Sequence, residues 1–76
     1  MSSVQPLGLL ARRVQDARSH VDRCRNGRVV REDLAAARSD LLRALEDYTR
    51  ALERRALPVP SRLQAELRLH RDLFER

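Results

Sequence analysis

The segment VREDLAAARSDLLRALEDYTRALERRAL, residues 30–57, decides the fold. Val30, Leu34, Ala37, Leu41, Leu45, Tyr48, Leu52 and Ala56 recur at intervals of three and four, the period of one helix face. Ala44 and Ala51 widen that face on one side and Leu42 extends it on the other, while Arg43, Glu46, Asp47, Arg50, Glu53 and Arg54 lie opposite. Glu32 and Asp33 stand in the first turn, where carboxylates complement the positive end of the helix dipole. Glu46 and Arg50 are spaced for an i,i+4 ion pair. The segment predicts one long helix over residues 30–57, about 40 Å at 1.5 Å per residue.

Shorter helices flank it. Upstream, Leu7, Leu10, Val14, Ala17, Val21 and Cys24 follow a 3-4-3-4-3 spacing, the stripe of an amphipathic helix or coiled-coil seam. Pro6 suits the first turn, where its missing N–H costs nothing. Asn26-Gly27 offers residues that tolerate a left-handed helix end. The first helix is therefore placed at about 6–25. Downstream, Pro58-Val59-Pro60 stops the long helix, because prolines cannot join its ladder. Ser61 and Gln64 read as a capping box that restarts a helix over about 61–75. That third helix carries Leu63, Leu67, His70 and Phe74 on one face, with Leu73 beside them.

The fold class expected is all-α: an antiparallel helical hairpin with a third helix folded back, a three-helix arrangement in a single domain over 1–76. Short connections make neighbouring helices antiparallel. With flanking helices of about 27 and 23 Å, the first is expected over the beginning of the long helix and the third over its end. Each end of the long helix then keeps one neighbour, which favours an oligomer or a bound protein.

Composition narrows the function classes. Seventy-six residues give a small core, and Cys24, the lone cysteine, cannot staple it by an internal disulfide. One Cys with His20 and His70 does not make a zinc site. No apolar run approaches the length of a membrane span, about 18 residues or more. The N-terminus lacks the basic and apolar regions of a secretory signal. A cytoplasmic location without membrane association is expected. All 16 basic residues are arginine, a bias that GC-rich coding produces by itself.

Residues 22–33, Asp22-Arg23-Cys24-Arg25-Asn26-Gly27-Arg28-Val29-Val30-Arg31-Glu32-Asp33, are spaced in a way that resembles an EF-hand loop. The resemblance lies in the acid at position 1, Asn at 5, Gly at 6, an aliphatic at 8 and a carboxylate at 12. Cys24 and Val30 replace oxygen ligands, Asp33 replaces the bidentate Glu, and four arginines repel a cation. An ordinary helix-to-helix turn without calcium is the reading taken. Cys24 is expected as a small core residue rather than a redox thiol. His70, central on its apolar stripe, is expected to find a hydrogen-bond partner, with Tyr48 a candidate neighbour. A pH switch is its alternative role.

No phosphate loop, activated nucleophile or buried carboxylate pair is present, so neither an enzyme nor a cofactor is expected. The function expected is protein–protein interaction as a small adaptor, regulator or assembly factor, with a second copy or another protein as partner. The apolar faces assigned to it are Leu10, Val14, Val21, Leu41, Leu45, Tyr48, Leu52, Leu67, His70 and Phe74. Charge suggests an alternative. Residues 1–31 hold seven arginines against two aspartates, whereas 32–76 are balanced at nine of each sign. Arg12, Arg23, Arg25, Arg28 and Arg31 could dock an anion, nucleic acid included. Stacking aromatics and a helix-turn-helix spacing are both missing.

Overall fold

The computed structural model describes residues 6–27 and 31–74, the last without its side chain. Three helices follow in order: α1 over Leu7–Asn26, α2 over Arg31–Arg54 and α3 over Ser61–Phe74. The chain is an all-α bundle in which α1 and α3 both pack on α2. The expected first position of the long helix, Val30, lies outside the described residues.

The predicted stripes form the core. Val14, Val21 and Cys24 of α1 meet Ala37, Leu41, Ala44, Leu45 and Leu52 of α2, with Leu63 and Leu67 of α3 against the same cluster. Leu45 is wholly enclosed at 0% exposure. Each buried leucine contributes about 1.5–3 kcal/mol relative to exposure. Ala37, Ala44 and Ala51 are buried along one side of α2, so small side chains make up part of its core face. Among the described residues no polar or charged residue is buried as a whole.

α1 covers more of α2 than helix lengths alone suggested. Arg13, in the first half of α1, donates Nη1 to Asp47 Oδ2 at 2.7 Å, in the second half of α2. α1, at 20 residues, is nearly as long as α2, at 24, because α2 stops short of residue 57. The hairpin is therefore paired along most of its length, and the expected pair of singly covered ends does not arise. Both α1 and α3 flank the C-terminal half of α2: adjacent residues Glu46 and Asp47 pair with Arg71 of α3 and Arg13 of α1. Glu46 thus bonds Arg71 rather than Arg50, since α3 brings a guanidinium to its other side.

The helix ends differ from expectation for local reasons. α2 ends at Arg54 in a Schellman arrangement, with Leu57 N–H on the Leu52 carbonyl and Ala56 N–H on Glu53. Pro58 disfavours helical backbone at Leu57, so the helix closes before it. Ala56 is consequently exposed and left-handed at φ 56° rather than part of the core face. Gly27 takes no left-handed conformation; its φ is −108° and its N–H bonds Arg23 O. At α3, Pro60 occupies the cap position, its carbonyl accepting the Gln64 N–H at 3.1 Å. Proline has no N–H for a capping box to receive. The Gln64 side chain instead donates to the Val59 carbonyl at 3.4 Å.

Candidate interaction surface

Of the apolar residues assigned to interaction, Leu10, Val14, Val21, Leu41, Leu45, Leu52 and Leu67 are buried inside this single chain. Tyr48 is part-buried against the same core, and the Phe74 side chain lies outside the described residues. These faces cover one another, and the apolar surface left for a partner is elsewhere. Among the described residues its large side chains are Leu9, Leu57, Leu69 and Leu73, at 54%, 42%, 58% and 42% exposure.

Leu69 and Leu73 are one turn apart on the outer flank of α3. At 100° per residue, Ala65 and Leu69 face away from the buried Leu63 and Leu67, while Leu73 lies to their side, about 80° around the helix from Leu63. Beside them runs an open groove of about 450 Å³, lined by Arg18, Arg62, Ala65, Glu66 and Leu69. The groove exists because the backbones of α1 and α3 do not meet; among the described residues no Cα pair between them lies within 8 Å. The Arg18–Glu66 ion pair spans the gap. Nε of Arg18 donates to Oε2 at 2.9 Å, and Nη2 donates to the other carboxylate oxygen. The hydrogen bond that Arg18 donates to Glu66 raises the Arg18 pKa further above its already high ordinary value, against the desolvation of a part-buried group.

His70, on the core-facing side of α3, is half-buried. Its Nδ1 is enclosed and has no hydrogen-bond partner, so the expected bond to Tyr48 does not reach that nitrogen. Burial pushes its pKa below the ordinary histidine value; Glu66 opposes this, while Arg38 of α2 and Arg18 of α1 add to it. Thr49 Oγ1 on α2 is likewise enclosed without a partner.

The remaining candidates are dispersed. Cys24 is buried, with Sγ 3.9 Å from His20 Nε2 one turn earlier. In the EF-hand-like stretch, Asp22 through Asn26 belong to α1 and Arg31 through Asp33 to α2, with 28–30 outside the described residues. Asp22 and Asn26 therefore lie along a helix instead of around a loop, and among the described residues no three metal-ligating side chains converge. Arg12, Arg23, Arg25 and Arg31 are all exposed without an ion pair among the described residues. Arg28 lies outside them. Arg13 and Arg18, also counted in the basic half, are engaged by Asp47 and Glu66.

Sequence reasoning passed over Leu69, Ala65, Arg62 and Asp72. The signal was present, since these four repeat the 3-4-3 spacing on the side of α3 opposite its core face. No described helix is long and apolar enough to cross a membrane. Compared with protein families, curated proteins and solved structures, the chain matches none of them.

Proposed function

We propose that this chain is a small helical protein–protein interaction module, an adaptor, regulator or assembly factor, that docks through the outer face of α3. The observation that carries the reading is the exposure of Leu69 and Leu73, one turn apart along the flank of a helix whose inner face is anchored in the core. Two leucines left in water on a chain with so small an apolar core gain most by being covered by another surface. The adjoining groove supplies Arg18, Arg62 and Glu66 as a polar rim. Affinity capture from the native host with wild-type and Leu69→Glu/Leu73→Glu baits tests it. Both baits should keep the same helical content, and the variant should lose the proteins that wild type retains. Identical captures from both baits would refute this surface.

A second reading follows from the four exposed, unpaired arginines Arg12, Arg23, Arg25 and Arg31. They fit an anionic partner, nucleic acid among others, through bidentate guanidinium contacts. Nuclease treatment before capture separates the two readings: loss of recovered proteins on digestion favours the anionic partner.

A further inference from the structure

Arg62, Ala65, Leu69 and Asp72 are spaced 3-4-3 along α3, the spacing of a coiled-coil seam, and all four are exposed. This second seam lies about 160° around the helix from the buried Leu63 and Leu67, so docking of α3 on α2 leaves it free. Among the described residues neither Arg62 nor Asp72 takes part in an ion pair.

We propose that this seam pairs with the same seam of a second copy of the chain, antiparallel, about a two-fold axis at the level of Leu67. The proposal rests on the reading of the α3 outer face as a docking surface and names its occupant. In an antiparallel coiled coil, seam positions of the two classes face each other across the axis. With the axis at residue 67, Leu69 of each copy meets Ala65 of the other, and Arg62 of each meets Asp72 of the other. One register thus satisfies every seam position: a large side chain over a small one twice, and opposite charges twice. A parallel pairing would place Arg62 on Arg62 and Asp72 on Asp72. The interface is isologous and closes at two copies.

The helix dipole points the same way. α3 has no acid in its first turn, where Arg62 stands instead, and Asp72 sits near its C-terminal end. Each charge is at the disfavoured end of its own helix. An antiparallel neighbour brings Asp72 of the second copy to the N-terminal end of α3 and its Arg62 to the C-terminal end. Arg68 and Glu66 flank the axis on its two sides in both copies, and each sets a like-charge contact against these gains, that of Glu66 eased by its pairing with Arg18. A contact of one short helix against another falls below the standard interface size, which puts dissociation at about 100 µM.

Sedimentation equilibrium on the full chain between about 20 µM and about 1 mM spans that constant. Wild type should pass from monomer to dimer over the range. Arg62→Asp alone and Asp72→Arg alone should each stay monomeric, since each sets like charges against itself. Mixed in equal amounts, the two variants should associate with one another, because each presents what the other lacks. Arg68→Gln should tighten wild-type pairing several-fold. All these positions are exposed, so circular dichroism should match wild type and the melting temperature should not fall, the charge reversals favouring the α3 dipole if anything, which separates lost pairing from lost folding. A wild type that remains monomeric at about 1 mM overturns the proposal, as do single variants that dimerise or a mixture that does not. Should those results coincide with capture that is still sensitive to Leu69→Glu/Leu73→Glu, only the second copy is excluded and the docking face stands.

Discussion

Arg18 on α1 and Glu66 on α3 are joined by two hydrogen bonds across a gap their backbones leave open. Each side chain keeps part of its surface in water, at 32% and 22% exposure. The pair is bidentate and partly shielded, so it should hold α3 more firmly than Arg71–Glu46, whose side chains are 52% and 35% exposed. Solvent screening limits its worth to about 1 kcal/mol. A double-mutant cycle with Arg18→Gln and Glu66→Gln, read by urea denaturation, should return that coupling. A coupling of zero would mean that this pair adds nothing to the hold of Leu63, Leu67 and Arg71 on α2.

His70 makes the docking of α3 pH-dependent. Its folded pKa lies below the ordinary value, chiefly through burial, so the undocked chain takes up the proton first as pH falls. Stability is therefore fullest above the unfolded pKa of about 6.5 and declines as pH drops through it. Glu66 moderates the effect; Arg38 and Arg18 strengthen it. Melting temperature should fall between pH 7.5 and 5.5 in wild type and change less in His70→Leu. A proton NMR titration should place His70 below the ordinary histidine value. Equal slopes for the two proteins would dismiss the histidine as the cause.

Ala56 holds a left-handed φ of 56° where glycine is the usual cap. A Cβ in that conformation costs about 1–2 kcal/mol. Ala56→Gly should thus stabilise the chain by about 1 kcal/mol, less the added freedom of the unfolded glycine. Chemical denaturation measures it. A destabilised variant would show that the Cβ is not strained there.

How much of this was legible in the sequence depends on how local each feature is. The helices and the core residues Val14, Leu41, Leu45 and Leu67 follow from spacing, because a helix face repeats every 3.6 residues whatever it packs against. The helix ends were not legible to the residue. Asn26-Gly27 has the chemistry of a left-handed cap, yet Ala56 adopts it, because Pro58 constrains the backbone just after α2. The apolar stripes mark what must be covered, and their burial has a tertiary reason: α1, α2 and α3 cover one another. Arg18 and Glu66 are 48 residues apart, and no pattern within one helix joins them.

Leu45 tests how small the stability margin is. It is the largest side chain wholly enclosed in the core. Leu45→Ala leaves a cavity and should cost about 2–5 kcal/mol, a large share of the 5–15 kcal/mol typical of whole domains. Thermal unfolding followed by circular dichroism should show a variant that is largely unfolded at 37 °C. A loss below about 1 kcal/mol would mean that the helices close around the site.

The arginine asymmetry has its own test, because exposure alone does not distinguish its two halves. Arg23, Arg25 and Arg31 are exposed and unpaired near the α1–α2 turn, and Arg43, Arg50 and Arg54 are exposed and unpaired on the outer side of α2. What differs is the company: the first set lies in a half with seven arginines and two acids, the second in a half with nine of each. Arg23 and Arg25 also occupy the last turn of α1, where the helix dipole tolerates cations. If the partner is anionic, reversing the first three to Glu should abolish its binding, and reversing the second three should weaken it only slightly. For duplex nucleic acid, affinity measured by fluorescence anisotropy should fall by about 0.9 log units per log unit of salt for each phosphate contact. The first triple variant should flatten that slope. Should both triple variants weaken binding equally, the arginines act as diffuse surface charge, and the outer face of α3 remains the docking surface.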